Sequence, residues 1–235
     1  MKDLYYVFHS NGTMLFSCKE LIECHDFSRL GYAYLFALVG VSVQNVDVLL
    51  RKGEVYTLKS NEFEKGFDFC FSILKLIKSN DTLYIYSKIM SGMYEVGALS
   101  LLKSLSDKND RIWLDMIRES KKIYISASYF FGGFRQSVEK DTIIVEGKYI
   151  HDYYSFYCEF GYAFFGKFGY MGNNLNAFND CLIEIGRPDR SITVIWKDSE
   201  LSFKAIDNTI PDGLTQSFSY DMVMTIEEHC KLILE

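Results

Sequence analysis

The sequence predicts an α/β protein whose C-terminal part is a small parallel sheet covered by helices. Between residues 141 and 235, strand and helix patterns follow one another in the order β-α-α-β-α-α-β. Strands that are joined through helices need crossover connections, and these make neighbouring strands parallel. A three-stranded parallel sheet with helices is therefore expected. The preceding residues mix strand and helix patterns without this alternation, so they predict an α+β region of unassigned fold.

The C-terminal elements follow from the spacing of apolar residues. Short apolar runs rich in β-branched residues predict strands at Thr142–Glu146, Ser191–Trp196 and Lys231–Leu234. Helical spacing predicts helices at His151–Phe165, after Gly172, at Leu201–Ile206 and at Ser219–His229. His151 and Asp152 are interpreted as the turn and N-cap that open the first helix, rather than as an acid–base pair.

The N-terminal region begins with a predicted hairpin, Tyr5–Phe8 and Met14–Phe16, around an Asn11-Gly12 turn. Further strands are predicted at Tyr32–Val43 (as a strand pair), Asp47–Arg51, Val55–Leu58, Leu83–Tyr86 and Ile123–Ala127. Helices are predicted at Asn61–Lys78, Tyr94–Leu105 and Asp110–Glu119. The pair Gly132-Gly133 and the charged stretch 135–140 predict a boundary, with an α+β domain of unknown function at 1–138 and a second domain at 139–235.

The composition is that of a globular protein. Apolar residues make up 49% of the chain, and two prolines leave no room for a long disordered linker. No apolar run reaches the roughly 18 residues that a transmembrane helix needs. Residues 1–5 lack the apolar core of a signal peptide, so we expect a cytoplasmic protein. The six cysteines are scattered without a CxxC pair, which indicates free thiols and no metal or cofactor.

The negative charge is concentrated in the C-terminal part. From Asp141 onward the chain has 15 acidic and 7 basic residues, whereas residues 1–140 have 16 acidic and 18 basic. An acidic half argues against direct binding of nucleic acid and suits a basic protein partner. No group of residues combines an acid, a base and a nucleophile, so we expect no enzymatic activity.

The stretch from Gly169 to Leu182 predicts a recognition surface. Gly172 permits a tight turn or the close approach of another chain, and Asn173 or Asn174 can cap the following helix. At 100° per residue, one face of that helix is apolar, with Leu175, Phe178, Leu182 and Ile185. The opposite face is polar, with Asn176, Asn179, Asp180 and Glu184. An ordinary amphipathic surface helix fits the same spacing.

The loop and helix also carry a family resemblance. The stretch Tyr170–Leu182 is similar to the glycine loop and helix of barstar and its family of intracellular ribonuclease inhibitors. The resemblance extends over roughly residues 141–235, through Val145–Gly147, Tyr154–Cys158, Val194–Ser199 and Glu227–Leu234. It implies a barstar-like fold for this part of the chain and says nothing about the first 140 residues.

The resemblance implies a function for the polar face. In that family the loop and helix block the active site of a ribonuclease, and an acidic residue occupies the place where the substrate phosphate would bind. Asp180 matches that acidic residue. Tyr170 would stack at the loop, and Gly172 would allow close approach. The implied partner-binding residues are Tyr170, Met171, Gly172, Asn173, Asn176, Asn179, Asp180, Ile183 and Glu184. The chain would be an inhibitor or immunity protein of a bacterial toxin–antitoxin pair, and its partner a ribonuclease or other basic nuclease.

Three positions depart from the family pattern. Asn176 stands where an acid is common, while Asn179 and Met171 stand where aromatic residues are common. Either Glu227 or Glu228 could supply a further interface acid. The loss of one carboxylate and of aromatic anchors indicates weaker binding to a barnase-like target, or a different target. The alternative is a regulatory or interaction module that keeps the fold and binds a protein other than a nuclease.

Overall fold

In the computed structural model, contacts divide the chain into two compact units, residues 1–105 and 106–235. The residues described are 4–24, 34–43, 49–60, 67–91, 93–104, 111–134, 137–186, 192–211 and 218–235. The division lies at 105/106, whereas the sequence predicts a domain boundary at 138/139. Compactness alone does not delimit a functional domain, so the limits 1–138 and 139–235 stay a prediction.

The first unit is built on a seven-stranded antiparallel sheet with strand order β2-β1-β5-β6-β7-β4-β3. The strands are β1 Tyr5–His9, β2 Met14–Cys18, β3 Glu20–Cys24, β4 Tyr34–Val39, β5 Val55–Ser60, β6 Phe67–Ser79 and β7 Thr82–Ser91. The predicted hairpin is confirmed, because β1 pairs with β2. Gly12, at φ 85°, supplies the left-handed residue that its turn needs.

The predicted helix at Asn61–Lys78 is wrong. From Phe67 onward this segment is strand β6, and residues 61–66 lie outside the described ranges. Phe67, Phe69, Phe71 and Ile73 alternate with more polar residues and are all buried. That spacing has a period of two, which suits a strand with one face on the core.

Other predictions in this unit are corrected in length. The predicted strand pair at Tyr32–Val43 is the single strand β4, and residues 49–51 form no strand. The helix expected at Tyr94–Leu105 is the shorter α1, Ala98–Lys103. Residues 31–33, 47, 48 and 105 lie outside the described ranges. Glu23 ties α1 to the sheet, because its carboxylate accepts hydrogen bonds from the Ser100 amide at 2.7 Å and hydroxyl at 2.6 Å.

The second unit contains the parallel sheet that the sequence predicts, which confirms that part of the fold class. Its strands are β8 Thr142–Glu146, β9 Thr193–Lys197 and β10 Lys231–Leu234. Strand β9 is central and pairs in parallel with both neighbours. Residues on one face, such as Val145 and Trp196, are fully buried, whereas Ile144 on the other face is exposed.

Helices surround the buried face of this sheet. Their bounds are α2 Lys121–Gly132, α3 Tyr153–Phe165, α4 Leu175–Ile185, α5 Ser199–Asp207 and α6 Phe218–Glu227. Short 3-10 turns occupy Ile112–Asp115, Arg118–Ser120 and Gly147–Tyr149. Within the described ranges, none of the helices combines the length and apolar character needed to cross a bilayer.

Helix α3 lies at the centre of the core. All of its residues except Tyr162 and Phe165 are buried. The ring of Phe156 lies 5.0 Å from that of Phe178 on α4 and 5.6 Å from that of Trp196 on β9, measured between centroids. The aromatic residues of α3 therefore join the sheet to the helix that carries the predicted recognition face.

Two predictions between residues 110 and 134 are wrong. The expected strand Ile123–Ala127 is the middle of helix α2, whose buried residues Tyr124, Ala127 and Phe130 recur at intervals of three. The expected helix Asp110–Glu119 is a pair of 3-10 turns, with residue 110 outside the described ranges. The β-branched residues in Ile-Tyr-Ile favour a strand locally, but packing overrides that preference.

Two buried ion pairs attach residues 111–132 to helix α3. The Arg111 guanidinium donates to the Glu159 carboxylate through Nε at 2.9 Å and Nη2 at 3.1 Å, and it lies over the rings of Tyr149 and Tyr162. Glu159 itself has 0% exposure. At the N-terminus of α3, the buried Lys121 ammonium donates to Asp152. Asp152 also caps α3 by accepting from the Ser155 amide at 2.9 Å, which confirms the predicted N-cap.

Arg111→Met should lower the free energy of unfolding of the second unit by about 3–5 kcal/mol near pH 8, because it leaves a buried carboxylate without its cation. Burial already raises the pKa of Glu159, and Arg111 opposes that rise. In the variant the folded state binds the proton more tightly than the unfolded state, so stability is lost as pH rises and recovered as pH falls toward 5. Urea denaturation followed by tryptophan fluorescence measures this unit, because Trp113 and Trp196 are the only tryptophans of the chain.

The matched control is Arg118→Met. Arg118 pairs with Glu119 at 3.0 Å, and both side chains are exposed. The free energy of unfolding should therefore fall by less than about 1 kcal/mol in this variant, and the decrease should change little with pH. Equal losses in the two variants, or a loss in Arg111→Met that does not depend on pH, would contradict the importance of the buried pair.

Candidate partner-binding site

Helix α4 begins where the sequence predicts a cap. Asn174 is the N-cap, and its Oδ1 accepts from the Ala177 amide at 2.9 Å. Asn174 Nδ2 donates to Asn173 Oδ1 at 2.7 Å, so the two asparagines are held together ahead of the helix. The predicted choice between Asn173 and Asn174 is thereby resolved in favour of Asn174, and Asn173 is half-buried beside it.

Burial agrees with the two predicted faces of α4 except at Leu175 and Asn179, which are half-buried. Phe178, Cys181, Leu182 and Ile185 are buried against the core. The outward face, which we call the acidic face, consists of four exposed residues, Asn176, Asp180, Ile183 and Glu184. Their spacing of i, i+4, i+7 and i+8 places them along one side of the helix.

The acidic face carries negative charge without a compensating cation in the described part of the chain. Helix α4 contains no lysine or arginine, and neither Asp180 nor Glu184 forms an ion pair with a described residue. Burial, and to a smaller extent the charges of both acids, raise the pKa of the neighbouring Cys181 thiol to about 12. Within the described ranges, the charges of these two carboxylates are therefore not neutralised by an ion pair.

The side chain of Asn179 is in hydrogen-bond contact with another residue of the second unit. Its Oδ1 lies 2.7 Å from Nε2 of His229, the second residue after helix α6. The sequence analysis misses this contact, because the two residues are 50 positions apart. The contact places the exposed residues Glu227 and Glu228 at the end of α6 beside helix α4. It does not choose between these two acids, and that alternative stays open.

The loop ahead of α4 is buried, and the expected contact of its residues with a partner stays a prediction. Tyr170 is 2% exposed, and Met171 and Gly172 are buried as well. The Tyr170 ring lies 5.2 Å from that of Tyr129 and 5.6 Å from that of Phe134, in edge-on contacts. Tyr170 and Met171 thus pack beneath the loop.

Backbone contacts hold this loop in place. A Cβ on Gly169 would lie 1.9 Å from the Gly161 carbonyl oxygen of α3, and a Cβ on Gly161 would lie 2.2 Å from the Gly169 carbonyl oxygen. Gly172 has φ +86°, and a Cβ there would lie 2.5 Å from the Phe178 amide nitrogen of α4. Gly172 therefore lies close to the backbone of the chain's own helix α4, and the predicted approach of another chain stays a prediction.

The cysteines near this site are not suited to nucleophilic chemistry. Burial raises the pKa of the Cys158 thiol well above its ordinary value, and it also raises that of Cys181. A thiol with a raised pKa is protonated at neutral pH and reacts poorly. Across the described ranges, no three His, Cys, Asp or Glu side chains gather where they could hold a metal ion.

Comparison with protein families identifies the C-terminal part. Residues 141–211 match the model of the family described as Barstar (barnase inhibitor). This stretch is barstar-like. The match confirms the resemblance predicted for the C-terminal part, and it contains β8, α3, α4, β9 and α5. It covers less than a third of the 235 residues. Comparison with curated proteins finds no match, and comparison with solved structures finds none.

Gly172→Ala should destabilise the second unit. Holding a residue other than glycine at φ +86° costs of order 1–3 kcal/mol, and the clash with the backbone of α4 adds to that cost. Urea denaturation followed by tryptophan fluorescence measures the loss.

Gly186→Ala is the matched control at the other end of α4. Gly186 has φ −65°, and an added Cβ would lie 3.4 Å from its nearest neighbours, so the change should alter stability by less than about 1 kcal/mol. A Gly172→Ala variant as stable as the Gly186→Ala variant would refute the close approach at Gly172.

Proposed function

We propose that this chain is a non-catalytic inhibitor that binds and occludes the active site of a ribonuclease or other basic nuclease toxin. The observation that carries the proposal is Asp180, exposed on the acidic face of α4 without a cationic partner among the described residues. Asp180 lies inside the barstar-like stretch, and the family is one of non-catalytic ribonuclease inhibitors.

In this proposal the Asp180 carboxylate takes the position of a substrate phosphate. An active site that binds RNA phosphates offers arginine, lysine or histidine side chains, and these pair with a carboxylate as they do with a phosphate. Helix α4 is fixed by Phe178 against the core and by Asn174 at its first turn, so Asp180 is presented on a rigid element. Rigidity lowers the entropy that binding costs, and it thereby favours affinity.

Other residues of the predicted site take two different roles in this proposal. Asn176, Ile183 and Glu184 are exposed next to Asp180 and would contact the nuclease directly, with the half-buried Asn173 at the edge of that surface. The buried loop residues Tyr170, Met171 and Gly172 would hold α4 in position, and Asn179 would do so through His229. Glu227 or Glu228 would add negative charge at the side of α4.

The proposed partner also suggests the biological setting. The acidic C-terminal part suits attraction of a basic nuclease and not direct binding of nucleic acid. A cell that makes a toxic nuclease needs its inhibitor in the same compartment. We therefore place this protein in a bacterial toxin–antitoxin pair, as the immunity protein in the cytoplasm.

Asp180→Asn should weaken inhibition of the target nuclease by at least about thirtyfold, because it removes a charge that would be paired in the complex; such truncations cost about 2–5 kcal/mol. Cleavage of a fluorogenic RNA by a panel of small basic ribonucleases headed by barnase, with increasing inhibitor, gives the inhibition constants.

The matched control is Glu200→Gln, which removes an exposed acid from α5. It should change the inhibition constant by less than about threefold, since a remote surface charge contributes little to affinity. If Asp180→Asn inhibited as strongly as the wild-type chain, phosphate mimicry by Asp180 would be wrong.

A second candidate function is a regulatory module of the same fold that binds a protein other than a nuclease. Two observations favour it. The side chains of Tyr170 and Met171 are buried and so are withdrawn from the surface, and Asn179 is occupied by His229. Both observations reduce the number of exposed residues that could make the contacts with a nuclease that are typical of the family.

Salt dependence separates the two candidates. Binding through the acidic face to a basic nuclease should weaken at least tenfold between about 0.05 and about 0.5 M salt, because the Debye length then falls from roughly 14 Å to roughly 4 Å. Calorimetry with the nuclease that the chain inhibits measures how the dissociation constant changes with salt concentration. Asp180→Asn should make that change smaller. An affinity unchanged by salt would favour the second candidate.

A further inference from the structure

A histidine contacts helix α4 from outside the barstar-like stretch. Nε2 of His229 lies 2.7 Å from Oδ1 of Asn179, and the family match ends at residue 211. Both side chains are half-buried. The next residue of α4 after Asn179 is Asp180, which is exposed on the acidic face. The imidazole therefore lies at the side of the proposed partner-binding surface.

The backbone on both sides of His229 is fixed. The amides of His229 and Cys230 donate to the Ile226 carbonyl at 3.1 and 2.8 Å, which closes the end of α6. The Lys231 amide donates to the Ile192 carbonyl at 2.9 Å, where strand β10 begins. The imidazole thus projects toward α4 from a segment that is held by the helix on one side and by the sheet on the other.

The contact with Asn179 decides where a further proton can bind. An amide oxygen accepts hydrogen bonds and cannot donate them, so Nε2 of His229 carries the proton that faces Asn179. In the neutral ring the other nitrogen, Nδ1, is then unprotonated. Within the described part of the chain, Nδ1 has no hydrogen-bond partner. A proton taken up from water at Nδ1 would therefore add a positive charge and leave the contact intact.

This positive charge would lie close to the proposed phosphate mimic. Consecutive Cα atoms are about 3.8 Å apart, so the Asp180 carboxylate cannot be more than roughly 13 Å from a ring that touches Asn179. At about 0.05 M salt the Debye length is of similar size, and the charges act on each other with little screening. On the elements that meet at this contact, the described charged residues are Asp180, Glu184, Asp221, Glu227, Glu228 and Lys231.

We propose that His229 makes the affinity of the acidic face for its basic partner depend on pH. Histidine is the side chain whose charge ordinarily changes between about pH 5 and about pH 8. While the ring is neutral, the acids attract the lysine and arginine side chains of the nuclease without opposition. Protonation places a cation among these acids, and that cation repels the same side chains of the partner. The inference rests on the proposed function and adds a form of regulation to it.

The test uses His229→Gln in the full chain. Glutamine retains an N–H that can donate to Asn179, but it does not titrate. The inhibition constant is measured at about pH 7.5 and about pH 5.5 in about 0.05 M salt, with the nuclease from the panel headed by barnase that the wild-type chain inhibits. At the higher pH the variant and the wild type should differ by less than about twofold. At the lower pH the variant should inhibit roughly threefold to tenfold more strongly than the wild type, as expected for two charges at this separation.

Two comparisons make the test specific. Protonation of the nuclease itself affects both inhibitors equally, so it cancels in the ratio of their inhibition constants. His151→Gln is the matched control, because His151 also makes its contact through Nε2, with the Lys148 carbonyl at 2.9 Å ahead of α3. This variant should follow the wild type at both pH values. In about 0.5 M salt the advantage of His229→Gln at the lower pH should shrink, since the Debye length is then roughly 4 Å.

The outcomes separate this inference from the proposed function. If His229→Gln and the wild type keep the same ratio at both pH values while Asp180→Asn still loses inhibition, the inference fails and the proposed function stands. If His229→Gln weakens inhibition at both pH values together with stability in urea, the contact only supports α4 and the inference also fails. If the wild-type chain inhibits none of the nucleases, the proposed function fails and this inference fails with it.

Discussion

The second unit is organised around a carboxylate that has no access to water. Glu159 lies on the most buried of the described helices, and a charge in that position needs a cation and hydrogen bonds. Arg111 provides the cation, and the Glu146 amide donates from the end of β8 at 3.3 Å. One residue therefore connects the segment before the barstar-like stretch, the central helix and the parallel sheet. The compact unit must begin well before residue 141 for this reason.

That requirement links folding to recognition. Helix α2 is bound to α3 through Lys121 and Asp152, and its far end carries the rings that cover the loop before α4. The loop in turn sets the position of α4, whose outward side is acidic. A segment without family similarity thus decides how much of the recognition loop reaches the surface.

The parallel sheet and the faces of α4 were predictable from the sequence, because each depends on local periodicity. The strand at β6 and the helix α2 were not. Phe67 and Phe71 fit helical spacing as well as the alternation that the sheet selects, and the β-branched residues of α2 favour a strand. Local preference cannot decide such cases, since packing against distant residues does.

The candidate site was predictable in its charged part only. Asp180 and Glu184 point outward because their neighbours at helical spacing are apolar. The burial of Tyr170 depends on Tyr129 and Phe134, which are 36 to 41 residues earlier in the chain. Likewise, Asn179 is occupied by a histidine 50 residues later. No pattern within the loop or the helix contains that information.

The contact between Gly161 and Gly169 has a consequence for how such a protein can diversify. The two backbones meet where neither position has room for a side chain, so this contact holds the loop through main-chain atoms. Exposed positions on α4 can then change from one lineage to another while the main chain stays in place. Selection for a new target can act on surface chemistry without first having to rebuild the scaffold.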